Sequence, residues 1–395
     1  MRNRDILISG AGIAGPTLAY WLLRRGFTPT LVERAPALRT GGYMIDFWGV
    51  GYDVAERMGL RPTLHEDGYH LEEVRLVDAS GTCVVSVDAG VFRTASSGRF
   101  LSILRGDLAR RLYHCVSGAA ETIFADSIAA LDEDGTGVTV TFEHAPQRRF
   151  DLVIGADGLH SNVRTLAFAD SARYEHDLGY TTAAFSAAGY PHRDEGAYVS
   201  YAVPGRQVAR YALRDGRSAF FFIFANDRQP EAEHHDAAAQ KAVLRERFSG
   251  AGWECDEILA AMDGARDLYF DTVAQTRMAE WSRGRVALLG DAAYCPSLLA
   301  GQGAALAMAG GYVLAHALAQ EQGDHIAAFG EYQRRFKPFI DAKQRAAARF
   351  GWWFAPRSSL GIRFRNLATN LMRVPYLADR LAARSFGDRF ELPSD

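Results

Sequence analysis

The sequence predicts an α/β protein in which a nucleotide-binding domain is interrupted by a mixed β-sheet domain and followed by a helical C-terminal segment. Three observations predict this fold class. A glycine-rich turn, residues 10–15, follows a short apolar run near the N-terminus. Two later apolar runs end in Gly155-Ala156-Asp157-Gly158 and in Gly290-Asp291. Because open α/β sheets bind ligands at the carboxyl ends of their strands, three such exits predict one long ligand that spans a parallel sheet.

The first element is a strand over residues 5–9 that leads through the glycine turn into a helix over residues 16–25. Glycines let the backbone turn tightly and approach a pyrophosphate, whose charge is met by the free N–H groups at the helix N-terminus. A second strand, residues 30–32, ends in Glu33, at the spacing at which the dinucleotide fingerprint places a ribose-binding carboxylate. The N-terminal part is therefore predicted to be Rossmann-like.

The next elements follow the same strand–turn–helix pattern. A strand over residues 152–154 delivers Asp157-Gly158 at its carboxyl end, and a strand over residues 286–289 delivers Gly290-Asp291. Gly301-Gln302-Gly303 then opens an alanine-rich helix that we expect to reach about Gln320. These later motifs favour FAD over NAD, which the first fingerprint could equally serve.

The nucleotide-binding domain is interrupted by turn-rich, strand-like segments without phosphate signatures. We assign residues 1–70, 100–174 and 276–330 to the FAD-binding domain, residues 71–99 and 175–275 to a substrate domain, and residues 331–395 to C-terminal helices.

The clearest unit of the substrate domain is a hairpin around Asp215-Gly216, a dipeptide typical of two-residue turns. Such a turn would place Tyr211 opposite Phe220 and Arg210 opposite Phe221. One interpretation is a sheet packed on core. The other is a wall for a flat aromatic substrate, with Arg210 near the substrate or the nicotinamide.

Composition favours a soluble enzyme. The chain has 395 residues, of which 48% are hydrophobic, and this is enough to build two hydrophobic cores. Its net charge of −3 gives no basic surface of the kind that binds nucleic acids. The four cysteines are too scattered for a disulfide framework, and no metal-ligand spacing appears. The N-terminus enters a strand too early for a signal peptide, and no apolar run is long enough to span a membrane, so we expect a cytoplasmic protein.

In these motifs the chain resembles the class A flavin-dependent aromatic hydroxylases, the family of para-hydroxybenzoate hydroxylase, the tetracycline-inactivating monooxygenases and the polyketide hydroxylases. The resemblance spans roughly residues 5 to 345. It implies noncovalent FAD, NAD(P)H as co-substrate, dioxygen, and a hydrophobic aromatic or polyketide-like substrate that is hydroxylated through a flavin C4a-hydroperoxide.

The resemblance also implies roles for individual residues. Glu33 is expected at the adenosine ribose, Arg105 at the diphosphate, Asp157 near both FAD and NAD(P)H, and Asp291 at the ribityl chain. The expected cofactor-binding residues are Gly10, Gly12, Ala14, Gly15, Glu33, Arg34, Arg39, Arg105, Asp157, Gly158, Gly290, Asp291, Pro296, Gly301, Gln302 and Gly303. The segment from Arg39 to Asp46 resembles the one that runs beside the isoalloxazine in the family, so Asp46 is an expected substrate-site residue. The hairpin adds Tyr211, Phe220 and Phe222 as expected substrate-site residues, with Arg210 as the catalytic candidate.

The chain departs from the family pattern at four positions. It has Tyr294 for a histidine, Leu298 for a proline, Ala305 for an asparagine and Gly310 for an aspartate. Three functions therefore stay open. They are a monooxygenase, a flavin oxidase, reductase or dehydrogenase, and a ligand-sequestering flavoprotein with little turnover.

An aromatic stripe at helical spacing, Tyr332, Phe336 and Phe339, predicts a C-terminal helix packed on the body of the protein. A membrane-facing or dimer-forming helix is the alternative, so a monomer and a homodimer are both compatible with the sequence.

Overall fold

The structure is a computed structural model of the chain. It describes residues 2–38, 43–169, 173–226, 236–348, 351–371 and 390–394.

The strands of the described residues carry the labels β1 to β18. In chain order they are β1 Asp5–Ser9, β2 Thr28–Glu33, β3 Met44–Trp48, β4 Glu73–Val77, β5 Cys83–Asp88, β6 Phe100–Leu104, β7 Glu121–Phe124, β8 Ile128–Glu133, β9 Val138–Phe142, β10 Arg148–Phe150, β11 Leu152–Gly155, β12 Glu175–Ala187, β13 Ala197–Val203, β14 Arg206–Ala212, β15 Ser218–Ala225, β16 Tyr269–Thr276, β17 Ser282–Arg283 and β18 Val286–Leu288.

The helices carry the labels α1 to α13, and a 3₁₀ turn covers Leu298–Ala300. They are α1 Ala14–Arg24, α2 Val50–Arg57, α3 Arg61–Asp67, α4 Gly90–Ala95, α5 Arg105–His114, α6 Asn162–Phe168, α7 Ala237–Phe248, α8 Cys255–Met262, α9 Asp291–Tyr294, α10 Gly303–Gln320, α11 His325–Ala348, α12 Gly351–Phe354 and α13 Ser359–Leu371.

A six-stranded sheet in the order β17-β18-β11-β1-β2-β7 forms the centre of the first core. The five strands from β18 to β7 run parallel, and only β17 is antiparallel. Ile6, Leu7 and Ile8 of β1 are fully buried, as expected for a strand that is covered on both faces. Helix α1 packs on α10, and α10 also packs on α2 and α11.

A seven-stranded mixed sheet in the order β16-β12-β15-β14-β13-β4-β5 forms a second core. Apart from Thr276, its strands fall within the two ranges assigned to the substrate domain. One face packs against α7 and α8 through residues such as Phe220, Phe248 and Ile258. The division into domains itself stays a prediction.

The hairpin of β14 and β15 corrects the predicted pairing by one residue. Leu213 N donates to Arg217 O at 2.8 Å, and Gly216 has φ +77°, so the loop contains three residues, 214–216, rather than two. Tyr211 therefore lies opposite Ala219, and Arg210 lies opposite Phe220.

A small antiparallel sheet of β3 and β6 lies between the two large sheets. Phe47, Leu101 and Ile103 point from one face into the first core. Met44 and Leu104 point from the other face and pack against residues of the seven-stranded sheet. This second face therefore lies toward the seven-stranded sheet.

The aromatic stripe of α11 packs inward, as the sequence predicted: Tyr332 and Phe336 are buried in the first core. Near the C-terminus, Phe390 lies 5.1 Å from Phe336 between ring centroids, and Pro393 O accepts from Arg57 at 2.6 Å. No described helix is both long enough and apolar enough to cross a membrane.

Candidate active site

Strand order brings the predicted motifs to one edge of the six-stranded sheet. β18, β11, β1 and β2 are neighbours and parallel, so the turns after them meet at their carboxyl ends. These turns carry Gly290-Asp291, Asp157-Gly158, the glycine turn and Glu33.

The three glycines of the first turn have different physical roles. Gly10 has φ +107°, and a Cβ there would lie 2.5 Å from Ala156 O. A Cβ on Gly15 would overlap the carbonyl oxygen of Gly10. A Cβ on Gly12, by contrast, would have no heavy atom of the protein within 4 Å. Gly10 and Gly15 thus permit close chain packing, while Gly12 leaves an open approach to the backbone at the start of α1.

Glu33 lies at the end of β2, where its carboxylate accepts from Ala11 N and from Ala35 N, each at 2.9 Å. These bonds fix the carboxylate beside the glycine turn. Arg34 is exposed and Ala14 is buried. Arg39 lies outside the described residues.

Asp157 organises the turn after β11. Its carboxylate accepts from Ser161 Oγ at 2.5 Å and from Val163 N at 3.0 Å. Burial raises the pKa of the Asp157 carboxyl, and these bonds oppose the shift. Arg164 is fully buried and donates to Ala292 O at 3.0 Å and to the Glu175 carboxylate. It therefore ties this turn to the helix that follows β18.

Asp291 begins α9 directly after Gly290, which has φ +68°. Burial raises the pKa of the Asp291 carboxyl, while the positive charge of Arg105 lowers it in part. These two charges lie close enough to interact, although β6 and β18 belong to different sheets. Arg105 starts α5 at the mouth of the same region.

The residues after α9 form an ordered turn at the N-terminus of α10. Gln275 Nε2 donates to Pro296 O at 2.8 Å, and Leu306 N donates to Gln302 O at 2.9 Å. Gly301 has φ +64°, and Gly303 is the first residue of the helix. The helix N-terminus beside Asp291 offers free N–H donors and positive potential.

An aromatic cleft adjoins this edge. The ring centroid of Tyr43 lies 5.0 Å from that of Tyr269 and 6.4 Å from that of Phe221. Burial raises the pKa of Tyr43 to about 12, although the positive charge of Arg105 opposes the shift. Tyr43 is therefore a neutral hydrogen-bonding group at physiological pH.

The cleft continues between the small sheet and the seven-stranded sheet. Tyr211 Oη accepts from Met44 N at 2.8 Å, and its ring stacks on Tyr198 with centroids 6.2 Å apart. Asp46 is exposed within the cleft, and its carboxylate accepts from Ser102 Oγ at 2.6 Å. The structure thus brings two of the predicted substrate-site residues, Asp46 and Tyr211, to one cleft.

The structure places Arg210, Phe220 and Phe222 on the opposite face of the seven-stranded sheet. Phe220 and Phe222 are fully buried in the second core. Arg210 donates to Asp194 at 2.8 Å and to Glu254 at 2.9 Å, with 2% of its side chain exposed. The register change places Phe220 and Phe222 on the face away from Tyr211, which corrects the expectation for these two rings. Arg210 alternates with Tyr211 along the same strand, so it also lies on that far face, where Asp194 and Glu254 hold it.

We expect Arg210→Met to destabilise the protein by about 2 kcal/mol, because it removes the buried cation shared by Asp194 and Glu254, which keep only their more exposed partners Arg75 and Arg193. FAD content should not change, since Arg210 lies on the far face of the sheet. Chemical denaturation and flavin absorbance measure the two effects. The matched control is Arg149→Met, whose exposed pair with Asp134 should contribute less than about 1 kcal/mol. If the stability of Arg210→Met is unaltered and its flavin reduction is slower, Arg210 acts at the active site and the structural role is wrong.

Sequence reasoning missed Tyr43, Ser102, Tyr198 and Tyr269 as cleft residues. They belong to four strands or strand ends that are distant in sequence, and no local motif links them. Tyr43 directly precedes β3 and lies between Arg39 and Asp46, two residues that the sequence analysis already expected at the site, and this position is the signal that could have found it.

Comparisons with known proteins agree with this arrangement. A family model described as "FAD binding domain" matches residues 3–327. A flavin-dependent monooxygenase from an unknown prokaryotic organism is 38% identical over 354 residues, covering 89% of each chain. A flavin-dependent monooxygenase of Legionella longbeachae is 35% identical over 361 residues, again covering 89% of each. Among solved structures, the tetracycline destructase Tet(55) is 33% identical with a TM-score of 0.84 and covers 100% of both chains.

Proposed function

The chain belongs to the FAD-binding-domain family and is an FAD-dependent monooxygenase of the class A hydroxylase type, and from this premise we propose that it uses NAD(P)H to hydroxylate a hydrophobic aromatic or polyketide-like molecule. The observation that carries the proposal is the position of the aromatic cleft. It opens beside the edge at which the glycine turn, Asp157 and Asp291 converge.

The residues at this edge fit FAD. The open approach to Gly12 suits a pyrophosphate, because no side chain blocks the N–H groups at the start of α1. Glu33 lies beside the glycine turn, in a position to bind the ribose of the adenosine half, and Arg105 and Asp291 lie further along the same edge. We propose that these residues and the turn of residues 301–303 hold the cofactor.

When bound, FAD supplies the activation of dioxygen with electrons from NAD(P)H. The protein has to orient the substrate, exclude water and place charge. The N-terminus of α10 offers N–H donors to negative charge at the edge of the site. The rings of Tyr43, Phe221 and Tyr269 form a wall against which a flat substrate packs.

The relatives narrow the substrate class. A tetracycline destructase shares the fold over the full length of this chain. We propose that the substrate is likewise a multi-ring molecule of polyketide type. Such a molecule would lie between the small sheet and the seven-stranded sheet, with its reacting ring toward the strand ends.

Labelled dioxygen tests the reaction. We expect NAD(P)H oxidation that accelerates with substrate, one labelled oxygen atom in the product and the other in water. The same assay with NADH and NADPH identifies the electron donor. Label found only in hydrogen peroxide would show a flavin oxidase. Tight substrate binding with neither NAD(P)H oxidation nor oxygen uptake would show a ligand-sequestering flavoprotein.

A further inference from the structure

The cleft contains one carboxylate on its small-sheet wall. Alternation along β3 places Asp46 on the same face as Met44, and pairing with β6 places Ser102 opposite Asp46. This face looks toward Tyr198 and Tyr211, because Met44 packs against that cluster and donates to Tyr211 Oη. Asp46 thus projects into the space between the two walls.

Asp46 lacks a positive partner among the residues that the structure describes. The hydroxyl of Ser102 is the one side chain that hydrogen-bonds to it there, at 2.6 Å. By contrast, Asp67 accepts two bonds from Arg111, at 2.6 and 2.7 Å. Burial raises the pKa of the Asp46 carboxyl, whereas the bonds from Arg111 lower the pKa of Asp67. A carboxylate that is open to a cleft, enclosed by protein on other sides and unpaired by charge gains most from a cationic ligand.

Aromatic residues lie on both walls near this carboxylate. Tyr198 and Tyr211 stack on each other on one wall, and the negative charge of Asp46 helps to raise the pKa of both hydroxyls. Trp48, two residues along β3, lies 6.1 Å from Phe100 between ring centroids. A carboxylate among aromatic faces is the chemistry that recognises organic cations, since ring faces attract positive charge as well.

We propose that Asp46 is a specificity-determining residue that pairs with a protonated amine of the substrate. The inference rests on the proposed function, because it assumes that this cleft binds the molecule that is hydroxylated. The amine would lie at Asp46, and the flat part of the molecule would lie toward Tyr43 and Tyr269.

The proposal predicts discrimination by charge. A charge-assisted hydrogen bond in a partly desolvated cleft makes a cationic ligand bind on the order of tenfold to a hundredfold more tightly than a neutral ligand of the same shape. A substrate hydroxyl that donates to Asp46 would give no such preference, so the charge of the ligand separates the two interpretations.

The test uses the FAD-loaded protein and two pairs of probes. Tyramine is compared with para-propylphenol, and tetracycline with its analogue that lacks the dimethylamino group. Affinities are measured by calorimetry for the wild type, for Asp46→Asn and for the control Asp134→Asn, which changes an exposed carboxylate of β8–β9 far from the cleft.

The expected result is a tenfold or greater preference for the cationic member of at least one pair in the wild type and in Asp134→Asn, and its loss in Asp46→Asn with unchanged FAD content. Equal affinities within both pairs, absence of binding by both cations, or a preference that survives in Asp46→Asn would each overturn the proposal. So would release of FAD from Asp46→Asn, which would place this carboxylate at the cofactor.

The outcomes separate this inference from the proposed function. If neutral phenols support NAD(P)H-dependent oxygen incorporation and cations show no advantage, the monooxygenase proposal stands and the role of Asp46 fails. If cations bind through Asp46 and no tested compound gains an oxygen atom, the amine site stands and the proposed reaction fails.

Discussion

Gly12→Val is expected to give a folded protein without FAD. A Cβ at this position meets no protein atom beyond its own chain neighbours, because none lies within 4 Å of it. It would instead occupy the space through which the pyrophosphate reaches the backbone of α1. A clash of about 3 kcal/mol corresponds to roughly a hundredfold loss of affinity.

Two measurements check this result. Circular dichroism should show an unchanged fold, and titration of the apoprotein with FAD should show the lost affinity. Gly118→Val is the matched control, because that position is equally open and lies in the loop after α5. Gly15→Val should fail to fold, since its Cβ would overlap Gly10 O. Wild-type affinity in Gly12→Val would mean that the pyrophosphate binds elsewhere.

Gly310→Asp is expected to destabilise the protein by more than about 3 kcal/mol, the sum of overpacking and of a charge placed in the core. A Cβ at residue 310 would overlap the hydroxyl of Tyr294 and lie 3.0 Å from Leu289 Cδ1. Tyr294 is itself held, because Tyr332 Oη donates to its hydroxyl at 3.1 Å. The tyrosine therefore fills the space that a side chain at residue 310 would need.

The family pattern supplies the rescue for this variant. The family resemblance implies histidine and aspartate at these two positions, and an imidazole beside a carboxylate can form an ion pair. Tyr294→His combined with Gly310→Asp should recover much of the stability that Gly310→Asp loses, a coupling that thermal unfolding of the two single variants and the double variant measures. Additive losses would show that the side chains at residues 294 and 310 do not interact in the double variant.

Local signals explain why the FAD-binding edge was predictable. Gly10 and Gly290 have positive φ values, which glycine adopts most easily, so their chemistry is visible in the sequence. The strands before them are short, and the residues at their centres are apolar and buried, a pattern typical of a parallel sheet covered on both faces. Strand, turn and helix then fix where each motif must lie.

The residues that face the cleft were less predictable from the sequence, because small geometric differences decide which side chains face it. Asp215-Gly216 is compatible with a loop of two or three residues, and that single residue determines whether Phe220 or Phe221 shares a face of the sheet with Tyr211. Asp46 and Ser102 come together only through the pairing of β3 with β6, which are separated by three helices and two strands. No periodicity in the sequence encodes such a contact.

The order β18-β11-β1-β2 also has a consequence for how the protein is made. Ser9 pairs with Gly155, and Gly155 pairs with Leu288, so the first sheet cannot close until the entire second sheet has left the ribosome. Pairings between such distant segments form slowly, and β11 keeps an open edge during synthesis that can pair with other chains. A substitution in the second sheet that delays its folding therefore lowers the yield of FAD-loaded protein without touching the cofactor, and added flavin recovers that yield by stabilising the closed sheet.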